Sequence, residues 1–248
     1  MKRLNKVILA AAAAFAVTAL LPAGYAFSAE KMSAVVVFVS GDVKFKRAAV
    51  PALAELKLNE ALQPGDTIVT GAGAKASLVT KTGAEIRINE NSTFSIPGKS
   101  KVREMFDLSV GQVWGRMLHK MAKLNVRTPT AVCAVRGTEA DIEQRSLLTV
   151  KVYEGHVDME NAAGMVSLKA GEMTSVSGAA AAPVKAAKMK PAEFGKWQDG
   201  VTSKDIMSFL EQLQASPGGD KKLRFNVGEL GKSDKDVRIK LKKKDGAE

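Results

Sequence analysis

The chain has 248 residues and a formal net charge of +11, and with 46% apolar residues it can bury a core in one domain or two. A single cysteine excludes an internal disulfide framework and a cysteine-built metal site. Aromatic residues are only 5%, so the core falls to Val, Leu, Ile, Ala and Met.

The N-terminus reads as a targeting segment. Lys2, Arg3 and Lys6 form a basic region, and an Ala-rich apolar run follows to Leu21. That run is shorter than the roughly 20 residues a membrane helix needs. Pro22-Ala23-Gly24-Tyr25-Ala26 then supplies a small-x-small cleavage pattern. Residues 1–26 are therefore expected to be a signal peptide, cut after Ala26 or alternatively after Ala29; an uncleaved anchor is the rival reading. The expected location is periplasmic or secreted.

Residues 35–39 (VVVFV) are a strongly β-prone run, and Val43 and Phe45 alternate with Lys44 and Lys46 as in a half-buried strand. Residues 48–60 have helical or loop character, with Leu53, Leu56 and Leu58 as expected anchors. Gln63-Pro64-Gly65-Asp66 fits a tight turn. Strands follow around Ile68 and Val69, over 76–80, around Ile86 and Ile88, around Phe94 and Ile96, and over 102–108. Residues 126–138 (VRTPTAVCAVRGT) are the centre of the chain. Residues 131–135 are expected to be a short strand buried on both faces, with Pro129 ahead of it and a sharp turn at Arg136-Gly137-Thr138. Leu148, Val150 and Val152 alternate next, Glu154-Gly155 is expected to turn the chain, and Val157, Met159, Val166 and Leu168 continue the pattern. Gly-x-Val recurs at Gly41, Gly111 and Gly155. Turn signals every ten residues or so predict a mainly β chain of the antiparallel sandwich or jelly-roll kind.

Several of these stretches together resemble the FecR domain family: 126–132 running into Val135-Arg136-Gly137-Thr138, Pro64-Gly65-Asp66 with Thr70-Gly71 downstream, and Glu154-Gly155-x-Val157 followed by Leu168-x-Ala170-Gly171-Glu172. The resemblance implies a β domain over residues 30–178 placed in the cell envelope. The best-known members are regulators that bind a sigma factor through a cytoplasmic segment and receive a transporter's signal in the periplasm. Only a signal-like segment precedes the domain here, so the resemblance carries the fold and location and leaves the regulatory circuit open.

No catalytic, cofactor-binding or metal-binding residue is expected, and the chain reads as a non-enzyme. The two histidines, His119 and His156, are too few to build a metal centre and read as solvated or structural. Cys133 reads as a small buried hydrophobe. Arg136 is open to two readings: a structural role, by pairing with Glu139 or Asp141 or bonding carbonyls at its turn, or an anionic partner. Residues 179–190 read as an Ala/Pro linker and 191–248 as a helical and basic appendage. In the appendage Phe194 and Trp197 share a side of a helical turn, and 202–213 has amphipathic helix spacing. The expected role is a protein-interaction or signal-sensing module with an envelope protein as partner. The alternative is a structural envelope protein held on an anionic lipid or polymer by Lys242, Lys243 and Lys244; nucleic acid is disfavoured.

Overall fold

The computed structural model describes residues 33–98, 104–118, 122–201 and 206. The expected signal peptide, His119, the amphipathic helix except Ile206, and Lys242, Lys243 and Lys244 lie outside the described residues. Among the described residues no helix is long and apolar enough to cross a membrane.

The chain is mainly β, as its alternating pattern predicts. The strands are β1 (Ala34–Ser40), β2 (Val43–Arg47), β3 (Val50–Glu55), β4 (Ala61–Leu62), β5 (Thr67–Thr70), β6 (Lys75–Thr80), β7 (Ala84–Ile88), β8 (Ser92–Ser95), β9 (Met105–Met117), β10 (Leu124–Arg127), β11 (Val132–Gln144), β12 (Leu148–Asn161), β13 (Gly164–Lys169), β14 (Glu172–Val176) and β15 (Ala187–Lys188). Three of them, β9, β11 and β12, run 13, 13 and 14 residues and belong to two ladders at once.

The first ladder runs β3-β2-β5-β8, then the first half of β9, β10, the first half of β11, the second half of β12 and β13. The second runs β4-β1-β6-β7, then the second half of β9, the second half of β11, the first half of β12, β14 and β15. Glycines sit where the long strands cross over. Gly137 (φ 153°) lies opposite Gly155, where the β11–β12 register slips between Arg136 and Glu139. That is a bulge, two residues facing one, and it bends the pair from one ladder to the other. Gly111 (φ 109°) makes the corresponding bend in β9, pressed against Ser92.

Both ladders line one apolar core. Phe94 and Phe106 stack in the first, with ring centroids 5.5 Å apart. Ile86, Ile88, Val113, Ile142 and Val150 fill the second, all at most 1% exposed. Each such side chain contributes about 1.5–3 kcal/mol by leaving water.

Three expectations need correction. Residues 50–55 form strand β3 rather than helix or loop, pairing among the described residues with β2 alone. Of its expected anchors only Leu56 is buried, while Leu53 and Leu58 are exposed; a strand with one neighbour covers little of its own surface. Residues 131–135 are not shielded on both faces: Ala131, Cys133 and Val135 are buried, whereas Val132 and Ala134 are half-buried. Pro129 lies in the hairpin between β10 and β11, where Thr128 Oγ1 accepts from Thr130 N and Ala131 N. Finally, neither Arg136-Gly137-Thr138 nor Glu154-Gly155 turns the chain. Both lie inside long strands that bend and continue, because glycine absorbs the bulge without breaking the ladder.

Candidate functional site

The core face of the second ladder is apolar; its opposite face is not. Cross-strand pairing sets one row of side chains there: Ser77 on β6, Arg87 on β7, Trp114 on β9, Asp141 on β11 and Lys151 on β12. A neighbouring row holds Glu85, Arg116 and Glu139. Such a face ordinarily meets water, yet here Glu85, Arg87, Trp114 and Asp141 are each at most 2% exposed.

The burial has a covalent source. Residues 189–201 return over this face as a strap, with a short 3-10 turn at Pro191–Glu193. Met189 N donates to Gly171 O at 2.8 Å, joining the strap to the turn before β14. Lys151 Nζ donates to the Glu193 carbonyl (2.8 Å), Lys75 Nζ to that of Trp197 (3.0 Å) and Arg87 Nη1 to that of Gln198 (2.7 Å). Gly195 N donates to the Tyr153 hydroxyl at 3.3 Å, and Tyr153 meets the Phe194 ring at 5.9 Å. The indole Nε1 of Trp197 donates to Asp141 Oδ2 at 2.8 Å. Lys75 Nζ also lies 6.0 Å from the Trp197 ring centroid, within cation–π range.

Beneath the strap, charge is compensated in place. Glu85 accepts from Arg87 Nε (2.9 Å) and Arg116 Nη2 (2.8 Å). Both guanidinium groups lie over the Trp114 ring, at 4.2 and 5.6 Å from its centroid. Gln112 Nε2 donates to both oxygens of Asp141, at 3.0 Å each.

Asp141 is a group whose protonation this geometry disturbs. Burial pushes its carboxyl up from 3.8 to about 6, against the opposing pull of the Trp197 and Gln112 hydrogen bonds and the Lys151 charge. A folded-state value above the unfolded one gives stability that is fully present below 3.8 and lost as pH rises through about 6. Wild type should therefore lose more stability than Asp141→Asn between about pH 4 and pH 7. Urea midpoints for the two chains across that range check it, and parallel curves would contradict it.

The residues singled out in the sequence lie elsewhere. Arg136 pairs across the strands with Asp158 (Nε–Oδ2 3.1 Å), not with Glu139 or Asp141, because its side chain is on the exposed face of the first ladder. His156 is exposed. Cys133 is fully buried, and burial pushes its thiol up to about 12. In the native chain it should therefore resist a thiol reagent near pH 8 and react once denatured; equal reaction rates in the two states would contradict this burial.

Sequence reading missed Lys75, Glu85, Arg87 and Lys151, and named Asp141 only as a possible partner of Arg136. Their signal is faint: Glu85 and Arg87 alternate with Ile86 and Ile88, which reads as a solvated face unless a cover is known. Phe194 and Trp197 were noticed, but as part of a separate appendage.

Residues 66–158 match the family model described as FecR protein. The matched stretch carries all the sheet residues named above as facing the strap, and the strap lies beyond it. No protein of curated function matches the chain. Two solved structures of a candidate anti-sigma factor from Parabacteroides distasonis ATCC 8503, at 1.65 and 2.50 Å resolution, are similar to it. Each is 15% identical, over 66% of this chain and 69% of that one, with a TM-score of 0.43. By the family match, this chain carries a FecR domain.

Proposed function

We propose that the chain is an exported, non-enzymatic FecR-domain protein that serves as a protein-interaction or signal-sensing module of the cell envelope. The family match supports the signalling side of this reading. The basic, apolar and small-residue order of residues 1–26 supports export. One observation carries it furthest: at the polar face of the second ladder, Lys75, Arg87 and Lys151 each bond a backbone carbonyl of a polypeptide segment. That is the chemistry of grasping a chain, since carbonyl oxygens offer acceptors whatever the side chains are.

The test is crosslinking in intact cells followed by fractionation. A discrete envelope protein, recovered with the wild type in the envelope fraction, is the expected result. Recovery of the chain alone, or its retention in the cytoplasm, would overturn the reading.

A further inference from the structure

We propose that the Arg87–Trp114–Asp141–Lys151 row is a peptide groove, occupied in this structure by the chain's own strap, whose external ligand is an extended partner segment carrying a tryptophan. The inference rests on the interaction-module reading above and names the kind of partner segment that site takes.

Four observations lead there. First, the strap is held largely by bonds that another segment can make. Lys75, Arg87 and Lys151 donate to its carbonyls, at Trp197, Gln198 and Glu193, and Tyr153 accepts from Gly195 N. Second, the bond that reads a side chain is the Trp197 indole on Asp141, with Lys75 near the ring. Tryptophan joins a large flat apolar body to a single N–H donor, which matches a buried carboxylate acceptor with a cation beside the ring. Third, the fit is imperfect. Trp114 Nε1 on the floor and Gln198 Oε1 on the strap are buried with no hydrogen-bond partner among the described residues. A segment that satisfies the Trp114 donor binds the same floor better than the strap does. Fourth, the sheet residues that grip the strap fall within the stretch matching the FecR model, whereas the strap falls outside it.

The strap also has the attachment of an exchangeable element. It joins the sheet through β15, a strand of two residues, and Phe194 stays exposed at its centre. Because the strap is tethered, it competes with any external segment as an intramolecular ligand.

The experiment is a titration of a fluorescently labelled synthetic peptide, with the sequence of residues 189–201, into the full chain. If the strap is seated in nine molecules of ten, the wild type shows about one tenth of the groove's intrinsic affinity. Trp197→Ala should then bind the peptide about tenfold more tightly than wild type. Trp197→Phe keeps the apolar ring and loses the donor, so it serves if the alanine variant does not fold. Adding Asp141→Ala to either variant, or replacing the tryptophan of the peptide by alanine, should abolish the gain.

Equal affinity for wild type and both Trp197 variants, or binding that survives Asp141→Ala, overturns the groove. That outcome, with a discrete envelope partner still recovered by crosslinking, removes the groove and leaves the interaction module standing. Peptide binding with no partner recovered does the reverse.

Discussion

Gly137→Ala is expected to lower stability by about 2–6 kcal/mol, a large share of the roughly 5–15 kcal/mol of an ordinary domain. Two terms add. At φ 153° a side chain is strained, which costs about 1–3 kcal/mol. The new Cβ would also sit 2.5 Å from Gly155 Cα and 3.1 Å from His156 N. Those are backbone atoms of the neighbouring strand, which cannot swing aside, so overpacking adds about 1–3 kcal/mol. Gly164 separates the terms: its φ is 155°, but a Cβ there would meet nothing nearer than Pro183 Cδ at 3.8 Å. Gly164→Ala should therefore show the strain alone, about 1–3 kcal/mol. Urea unfolding of the two variants measures the difference, and equal losses would show that the β11–β12 bend is not closely packed.

Glu85→Ala is expected to cost a further large amount, about 3–5 kcal/mol. Glu85 is fully buried and accepts from Arg87 and Arg116, of which Arg87 is 1% exposed. Removing the carboxylate leaves a buried guanidinium without its counter-charge, and it is this residue of uncompensated charge that destabilises, not the lost bond as such. Glu85→Gln retains an acceptor and should fall between alanine and wild type. The contrast is the Arg127–Asp107 pair, similar in geometry at 2.7 Å but with Arg127 52% exposed. Water screens that pair, so Arg127→Ala should cost no more than about 1 kcal/mol. Calorimetry on the three variants checks the ranking; Glu85→Ala as mild as Arg127→Ala would contradict the buried network.

Most of the β architecture was legible because apolar alternation records which strand face is covered. Ile86 with Ile88, Leu148 with Val150 and Val157 with Met159 all point inward as their spacing predicts. The glycine recurrence was legible too, but its meaning was not. Gly111, Gly137 and Gly155 look like turn residues, and a local reading cannot tell a turn from a bulge inside a strand that simply changes ladder. Strand β3 escaped for a related reason: with one neighbour among the described residues and little burial it carries no alternation to read. The site was the least legible part. Arg87 and Asp141 look like solvent-facing charges, and the segment that returns over them bonds them from 111 and 56 positions away. Long-range cover leaves no local mark on the strand it covers.

Native-state hydrogen exchange on the full chain tests the central claim most directly, that a separable segment is clamped on a preformed face. The Met189 and Gly195 amides, bonded to Gly171 O and Tyr153 Oη, should exchange through a local opening of the strap. Val113, Ile142 and Val150, within the second ladder, should exchange far more slowly, through unfolding of the whole sheet. Met189 and Gly195 exchanging at the same rate as those core amides would mean that strap and sheet open only together, and the clamp would be no more than another part of the core.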